Sequence, residues 1–146
     1  MHVVRIVYAL TFAFSFATVA VAQQSRPTAP PTMTPIEAHR QAQAGDVVLI
    51  DIRTPDEWRE TGVPISATAI TMHQDAAKFV AALDAAAKGD RTRPIALICR
   101  TGNRSSHMQA ELRKLGYTNI IDVAEGVVGG SKGSGWLKAG LPVKAP

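Results

Sequence analysis

The sequence predicts an α/β fold with a largely parallel sheet. Short apolar runs alternate along the chain with segments whose apolar residues recur at helical spacing. The four predicted strands are residues 47–50, 67–71, 95–98 and 119–123. Strands that alternate with helices are typical of a parallel sheet, and ligands of such sheets bind beyond the carboxyl ends of the strands.

Two capping boxes predict where the first two helices begin. The Thr-Pro-Ile-Glu segment at residues 34–37 predicts a helix over residues 35–44 that Gly45 ends. The Thr-Pro-Asp-Glu segment at residues 54–57 predicts a short second helix through Arg59. In each box the threonine side chain and the glutamate side chain satisfy each other's backbone N–H groups.

The later elements follow from composition and spacing. We expect a turn at residues 62–64, an Ala-rich helix over residues 74–88 and a helix that starts near Ser106. Residues 125–135 contain five glycines, which predicts a mobile or tightly turning loop beside the site. One helical turn is expected at residues 136–139.

The N-terminus predicts export. Arg5, the apolar run at residues 6–19 and the Ala-Val-Ala segment at residues 20–22 form the three parts of a signal peptide. The run is shorter than the roughly 20 residues of a membrane span, so an uncleaved anchor is the less favoured alternative. We expect a periplasmic or secreted protein with no stable membrane insertion after cleavage. The domain plan is a signal peptide at residues 1–22, a flexible linker at residues 23–33 and one domain at residues 34–146.

Charge and cysteine content narrow the classes of function. The chain has 16 basic and 12 acidic residues, and the basic ones are scattered, which argues against nucleic acid and for a small anion as partner. A single cysteine excludes an internal disulfide, a Cys-x-x-Cys couple and a cysteine-based zinc site within the monomer. The histidines are widely spaced, so we expect no metal and no cofactor.

Cys99 is the candidate nucleophile. It follows a predicted strand and opens a loop with two arginines that leads into a helix. Backbone N–H groups of such a loop can turn toward one anion, and with the arginines they favour a thiolate. A buried, inert cysteine is the alternative, but this loop is poor core material. The predicted site is the thiol and the six residues after it, Cys99, Arg100, Thr101, Gly102, Asn103, Arg104 and Ser105.

Asp51 and Arg53 follow another predicted strand. An Asp-x-Arg pair between a strand and a capped helix is more often a buried salt bridge than a catalytic pair, so we assign both to structural support of the loops. Trp58 and Trp136 are predicted to be packing residues. Neither Ser105 nor Ser106 belongs to a Ser-His-Asp constellation, so both are expected to be helix N-cap groups.

Several segments, in their order and spacing, resemble the rhodanese (sulfurtransferase) homology domain. They are residues 49–58, 99–106, 116–117 and 125–126, together with Trp136 and residues 139–142. The resemblance spans residues 34–143 and implies a central five-stranded parallel sheet with helices on both faces. It also implies a cysteine that carries a persulfide between a sulfur donor and an acceptor. Two stretches depart from the family pattern: residues 62–67 lack its His and second Gly, and residues 126–136 are long and glycine-rich.

Loop length separates sulfur transfer from a competing chemistry. Cysteine phosphatases and arsenate reductases resemble a seven-residue Cys-x5-Arg pattern, whereas the loop from Cys99 to Arg104 has six residues. The shorter ring is better matched to the outer sulfur of a persulfide. The resemblance therefore implies transfer from a small anionic donor, thiosulfate or a small persulfide, to a thiol, cyanide or protein-cysteine acceptor. A noncatalytic or carrier module fed by a partner protein is the second hypothesis, and a phosphatase or arsenate reductase is the third.

The two loop arginines have separate expected roles. Arg100, next to the thiol, is the candidate to bind the sulfonate of a donor such as thiosulfate. Arg104, near the start of the following helix, is expected to brace the loop through its fork of N–H donors. The backbone N–H groups between Arg100 and Ser105 would form the anion cradle.

Overall fold

The computed structural model describes residues 29–146, so the predicted signal peptide at residues 1–22 lies outside the described residues. The strands of this part are β1 (Thr32–Met33), β2 (Val48–Asp51), β3 (Val63–Pro64), β4 (Thr68–Ala69), β5 (Ile95–Ile98), β6 (Ile120–Val123) and β7 (Val143–Lys144). The helices are α1 (Pro35–Ala44), α2 (Pro55–Thr61), α3 (Ala76–Ala86), α4 (Asn103–Lys114) and α5 (Gly135–Lys138). Between residues 29 and 146, no helix is long and apolar enough to cross a membrane.

Five strands form one parallel sheet in the order β1-β6-β5-β2-β4. Strand β5 is at its centre, and all four of its residues are buried. Asp51, the last residue of β2, pairs with Ile98, the last residue of β5. The segments that follow these two strands therefore leave the sheet side by side, at the edge where ligands of parallel sheets bind.

Helices cover both faces of the sheet, as successive residues of the central strand show. Leu97 and Cys99 pack on one face in a cluster that includes Phe79 of α3. Ile98 points to the other face and packs in a cluster that includes Trp136 of α5. Alternation along a strand sends neighbouring side chains to opposite faces, so burial on both faces requires two helical layers. The predicted α/β fold, with a five-stranded parallel sheet and helices on both faces, is confirmed.

Both predicted capping boxes are present. Thr34 and Glu37 exchange hydrogen bonds at the start of α1, and Gly45 ends that helix with a φ of 80°. Thr54 and Glu57 form the same arrangement at the start of α2. These signals are local, so they predict helix starts without knowledge of the tertiary structure.

The domain begins before residue 34. Thr32 and Met33 form β1 and pair in parallel with Asp122 and Val123 of β6, and Met33 is buried. The prediction of a flexible linker through Met33 is therefore wrong for these two residues. Their pairing partner lies far along the chain, and the composition of a Pro-rich segment carries no information about it.

Two other boundaries differ from expectation. The turn predicted at residues 62–64 contains β3, which pairs antiparallel with β7 in a separate two-stranded sheet. Helix α4 begins at Asn103 rather than near Ser106, and its N-cap is Gly102, with no side-chain capping bond. Ser105 and Ser106 are therefore inside the helix, and the expectation that they cap it is wrong.

Candidate active site

The Cys99 thiol lies at the centre of its loop. Its Sγ accepts hydrogen bonds from the backbone N–H of Gly102, at 3.2 Å, and of Ser105, at 3.4 Å. The Ser105 hydroxyl lies 3.3 Å from the same sulfur. Donors that converge on one sulfur stabilise negative charge there, as a thiolate or persulfide anion requires. Cys99 is fully buried, so a reactant must enter the loop to reach it.

Gly102 gives the loop its shape. Its φ is 85°, and a Cβ at this position would lie 1.7 Å from the carbonyl oxygen of Ala124. Only glycine meets both demands, the left-handed conformation and the close approach of another backbone. The turn at Gly102 directs its N–H toward Cys99, and the helix that follows supplies the N–H of Ser105.

The glycine-rich segment at residues 125–135 binds the backbone carbonyls at the start of the active loop. The N–H groups of Val127 and Val128 donate to the carbonyls of Cys99 and Arg100 at 2.9 and 3.0 Å. A Cβ at Gly126 would lie 2.5 Å from the Arg100 carbonyl, so the two backbones could not approach with a larger residue. The loop carbonyls thus face this segment while loop N–H groups face the sulfur.

Arg104 is held by a carboxylate from α2. Its Nη1 and Nη2 donate to the two carboxylate oxygens of Glu57 at 2.9 and 2.5 Å, and Nη1 lies 3.2 Å from Nε2 of His73. Burial alone raises the pKa of Glu57, but hydrogen bonds from Arg104 and the Thr54 N–H lower it to about 2. The bonds to Glu57 also raise the pKa of Arg104. Glu57 therefore joins the start of α2 to the active loop.

Arg100 is paired with a second carboxylate of α2. Its Nη1 donates to Glu60 at 2.9 Å, and the side chains of Arg100 and Glu60 are 39% and 57% exposed. The hydrogen bond from Arg100 lowers the pKa of Glu60, so this carboxyl is charged at neutral pH. Both arginines that the sequence places in the loop thus have an acidic partner at the site.

Asp51 and Arg53 form a fully buried ion pair below α2. Arg53 Nε and Nη2 donate to the two carboxylate oxygens of Asp51 at 2.9 and 2.6 Å. The same guanidinium donates to the Thr61 hydroxyl at 2.7 Å and to the Gly62 carbonyl at 2.8 Å. Arg53 therefore ties the end of β2 to the end of α2, which carries Glu57 into the site.

Two further polar residues lie behind the loop. Lys132 donates to the Gly102 carbonyl at 3.0 Å, and its Nζ lies 3.9 Å from the buried carboxylate of Asp122. Burial raises the pKa of Asp122, while a hydrogen bond from Ser105 and the charge of Lys132 act in the opposite direction. Lys132 belongs to the glycine-rich segment, which therefore contacts the loop through a side chain as well as its backbone.

The loop residues named from the sequence lie together after β5, and sequence reasoning missed the carboxylate partners of the two arginines. Thr101 is half-buried beside Gly130, and Asn103 is an exposed residue at the start of α4. The partners Glu57 and Glu60 are 47 and 40 residues from the arginines they bind. The two glutamates lie three apart on one face of α2, but the helix predicted from the sequence ended at Arg59, one residue before Glu60. Within residues 29–146 no three His, Cys, Asp or Glu side chains form a candidate metal site.

The family of the chain follows from comparison with known proteins. The family model described as the rhodanese-like domain matches residues 34–132, which include the active loop, α2 and most of the glycine-rich segment. The chain belongs to the rhodanese-like domain family. This family is of the sulfurtransferase type, a chemistry that requires a sulfur donor and an acceptor.

Proteins that are similar to this rhodanese-like domain in sequence or in structure support the family assignment. A protein of Allochromatium vinosum named sulfurtransferase is 29% identical over 109 residues, which cover 75% of this chain and 89% of the relative. The crystal structure of Rv0390 from M. tuberculosis has a TM-score of 0.62 and 25% identity, and covers 82% of this chain and 100% of that one. The solution structure of a polysulfide-sulfur transferase homodimer from Wolinella succinogenes has a TM-score of 0.56 and 28% identity, and it covers 79% of this chain and 78% of that one.

Proposed function

We propose that this protein transfers a sulfane sulfur from thiosulfate or a small persulfide to a thiophilic acceptor through a persulfide on Cys99. The observation that carries the proposal is the convergence on Sγ of two backbone N–H groups, that of Gly102 in the six-residue loop and that of Ser105 directly after it, at 3.2 and 3.4 Å. Membership in a sulfurtransferase-type family supports the same chemistry. The Wolinella neighbour, named for polysulfide-sulfur transfer, supports polysulfide as a further donor of this kind.

The reaction is a double displacement. The Cys99 thiolate attacks the sulfane sulfur of thiosulfate, the S–S bond of the donor breaks, and sulfite leaves with the electron pair. The transferred sulfur is then the outer sulfur of a Cys99 persulfide anion. The N–H groups of Gly102 and Ser105 donate to the inner sulfur, Sγ, and stabilise the thiolate that starts and ends the cycle. An acceptor, such as cyanide, a thiol or a protein cysteine, attacks the outer sulfur and regenerates the thiolate.

The two arginines contribute differently to this cycle. Arg104, bound through both nitrogens to Glu57, positions the loop and leaves little donor capacity for a ligand. Arg100 is more exposed and binds the sulfonate of the donor after Glu60 has been displaced. Because Cys99 is fully buried, entry of the donor also requires side chains at the loop mouth to move.

Intact mass spectrometry tests the proposal directly. The reduced protein is exposed briefly to thiosulfate, with Cys99→Ser in parallel. We expect the native protein alone to gain the mass of one sulfur atom, and cyanide or a thiol to remove it. Absence of any gain, with thiosulfate and with polysulfide, would contradict the proposal and favour a carrier that only a partner protein can load.

We also propose that the protein is exported and acts in the periplasm or outside the cell. The proposal rests on the signal-peptide pattern of residues 1–22. Expression of the full chain in a bacterial host followed by fractionation tests it. We expect the protein in the exported fraction with Gln23 at its N-terminus, and an uncleaved chain in the cytoplasm would contradict export.

A further inference from the structure

We propose that Glu60 determines the donor specificity of this site, because its carboxylate occupies Arg100 and must be displaced by an anionic sulfur donor. The inference rests on the proposed function, since it takes Arg100 as the group that receives the anionic end of the donor. It adds a residue outside the active loop that discriminates donors by their charge.

Both positive charges of the loop are neutralised from a single helix. Glu57 binds Arg104, and Glu60, three residues later on the same face of α2, binds Arg100. The two arginines give the loop a positive charge in the sequence. In the folded protein the two glutamates bring the net charge at the loop close to zero. A donor with negative charge therefore meets arginines that are already paired with carboxylates.

The two carboxylates differ in how firmly they are held. Glu57 has a side-chain exposure of 14% and accepts hydrogen bonds from the Thr54 N–H and both Arg104 nitrogens. Glu60 has a side-chain exposure of 57%, and its hydrogen-bond partner is Arg100. Exposed ion pairs of this kind are weak and exchange readily. Arg100 is thus the arginine that a ligand can take over.

Competition for Arg100 acts on donors in proportion to their charge. Thiosulfate, with two negative charges, must replace Glu60 and is repelled by the carboxylate it displaces. A thiosulfonate has one negative charge, so the Glu60 carboxylate repels it less. An uncharged trisulfide has no group that requires Arg100, so Glu60 has no effect on it. Discrimination of this type works through repulsion of the disfavoured ligand as well as attraction of the favoured one.

A series of donors with different charge tests the inference. KM is measured with thiosulfate, methanethiosulfonate and dimethyl trisulfide, with cyanide as acceptor, for the native protein and Glu60→Gln. We expect KM for thiosulfate to fall about five-fold, as the loss of one screened ionic repulsion implies. The fall should be smaller for methanethiosulfonate and absent for dimethyl trisulfide. An unchanged KM for thiosulfate, or an equal change for all three donors, would overturn the inference.

Glu111→Gln is the matched control. Glu111 is a glutamate with a side-chain exposure of 42% in an ion pair with Lys114, in the part of α4 that leads away from the active loop. Its replacement removes the same charge from the protein and should leave all three KM values unchanged. A fall in KM for thiosulfate in this variant as large as that in Glu60→Gln would show that net charge, rather than competition for Arg100, is responsible.

Binding without turnover separates this inference from the proposed function. Calorimetric titration of thiosulfate into Cys99→Ser and Cys99→Ser/Glu60→Gln should show tighter binding to the double variant. Addition of Arg100→Gln to both proteins should remove most of that gain, since the competition acts through Arg100. If Glu60→Gln tightens thiosulfate binding by the same amount when Arg100 has been replaced, the inference is overturned. If the native protein forms no persulfide with any donor, the proposed function fails, while the binding result still decides the role of Glu60.

Discussion

Arg53 and Arg100 are two arginines near the same edge of the sheet, each paired with one carboxylate. Arg53 is fully buried against Asp51 and also donates to groups at the end of α2. Arg100 is 39% exposed and is bonded to Glu60 of α2. The two pairs have similar N···O distances, 2.6 and 2.9 Å, so distance does not separate them.

Burial separates the two pairs. A buried guanidinium that loses its carboxylate cannot recover its hydration, so Arg53 is bound permanently. An exposed guanidinium exchanges its carboxylate for water or for a ligand at little cost. The comparison teaches that the buried ion pair of Arg53 maintains the architecture of the site, whereas the exposed ion pair of Arg100 is free to take part in binding.

The largest expected effect is that of Asp51→Asn. The substitution keeps the shape of the side chain and leaves the charge of Arg53 buried without its partner, which costs about 3–5 kcal/mol of unfolding free energy. Urea unfolding measures this loss. The control is Asp56→Asn, which removes the carboxylate of an exposed pair with Arg59 and should change the midpoint little. Equal losses in the two variants would contradict the role of burial.

An intermediate effect is expected for Glu57→Gln. Its carboxylate is mostly buried and accepts charged hydrogen bonds from Arg104, so the loss should be about 1–3 kcal/mol. The folded protein holds the pKa of Glu57 at about 2, below its ordinary value of 4.5. The stabilisation is therefore complete above pH 4.5 and is lost as the pH falls toward 2.

Urea unfolding of both proteins at several pH values tests this direction of the pH dependence. The difference in stability between the native protein and Glu57→Gln should be constant near neutral pH and should shrink between pH 4.5 and the lowest pH at which the protein folds. A difference that stays constant across this range would show that Glu57 contributes through its shape rather than its charge.

The smallest effect on stability is expected for Arg100→Gln. The pair with Glu60 is exposed, so the unfolding midpoint should stay close to that of the native protein. KM for thiosulfate should rise about ten-fold while kcat changes less, since the lost interaction is with the bound donor. Steady-state kinetics and urea unfolding of one preparation measure both. A large loss of stability with an unchanged KM would reverse the roles assigned to the two arginines.

Sequence reasoning reached most of the fold because its signals are local. Helices α1 and α2 follow from capping boxes of four residues, and β5 follows from an uninterrupted apolar run. It failed for β1, β3 and β7, each of two residues and each dependent on a partner strand far along the chain. It also placed the start of α4 three residues late, because the φ of Gly102 depends on the backbone of Ala124.

At the site, the chain itself gives the identity of the loop residues and the order of the elements. Cys99, its six-residue loop and the strand before it are contiguous, and their resemblance to a known family was sufficient to predict the family to which the chain belongs. Which carboxylates bind the two loop arginines, and how firmly, could not be predicted from the loop sequence. Their carboxylate partners are 40 and 47 residues away, and burial, which makes Glu57 a permanent partner and Glu60 an exchangeable one, exists only once α2 has packed beside the loop.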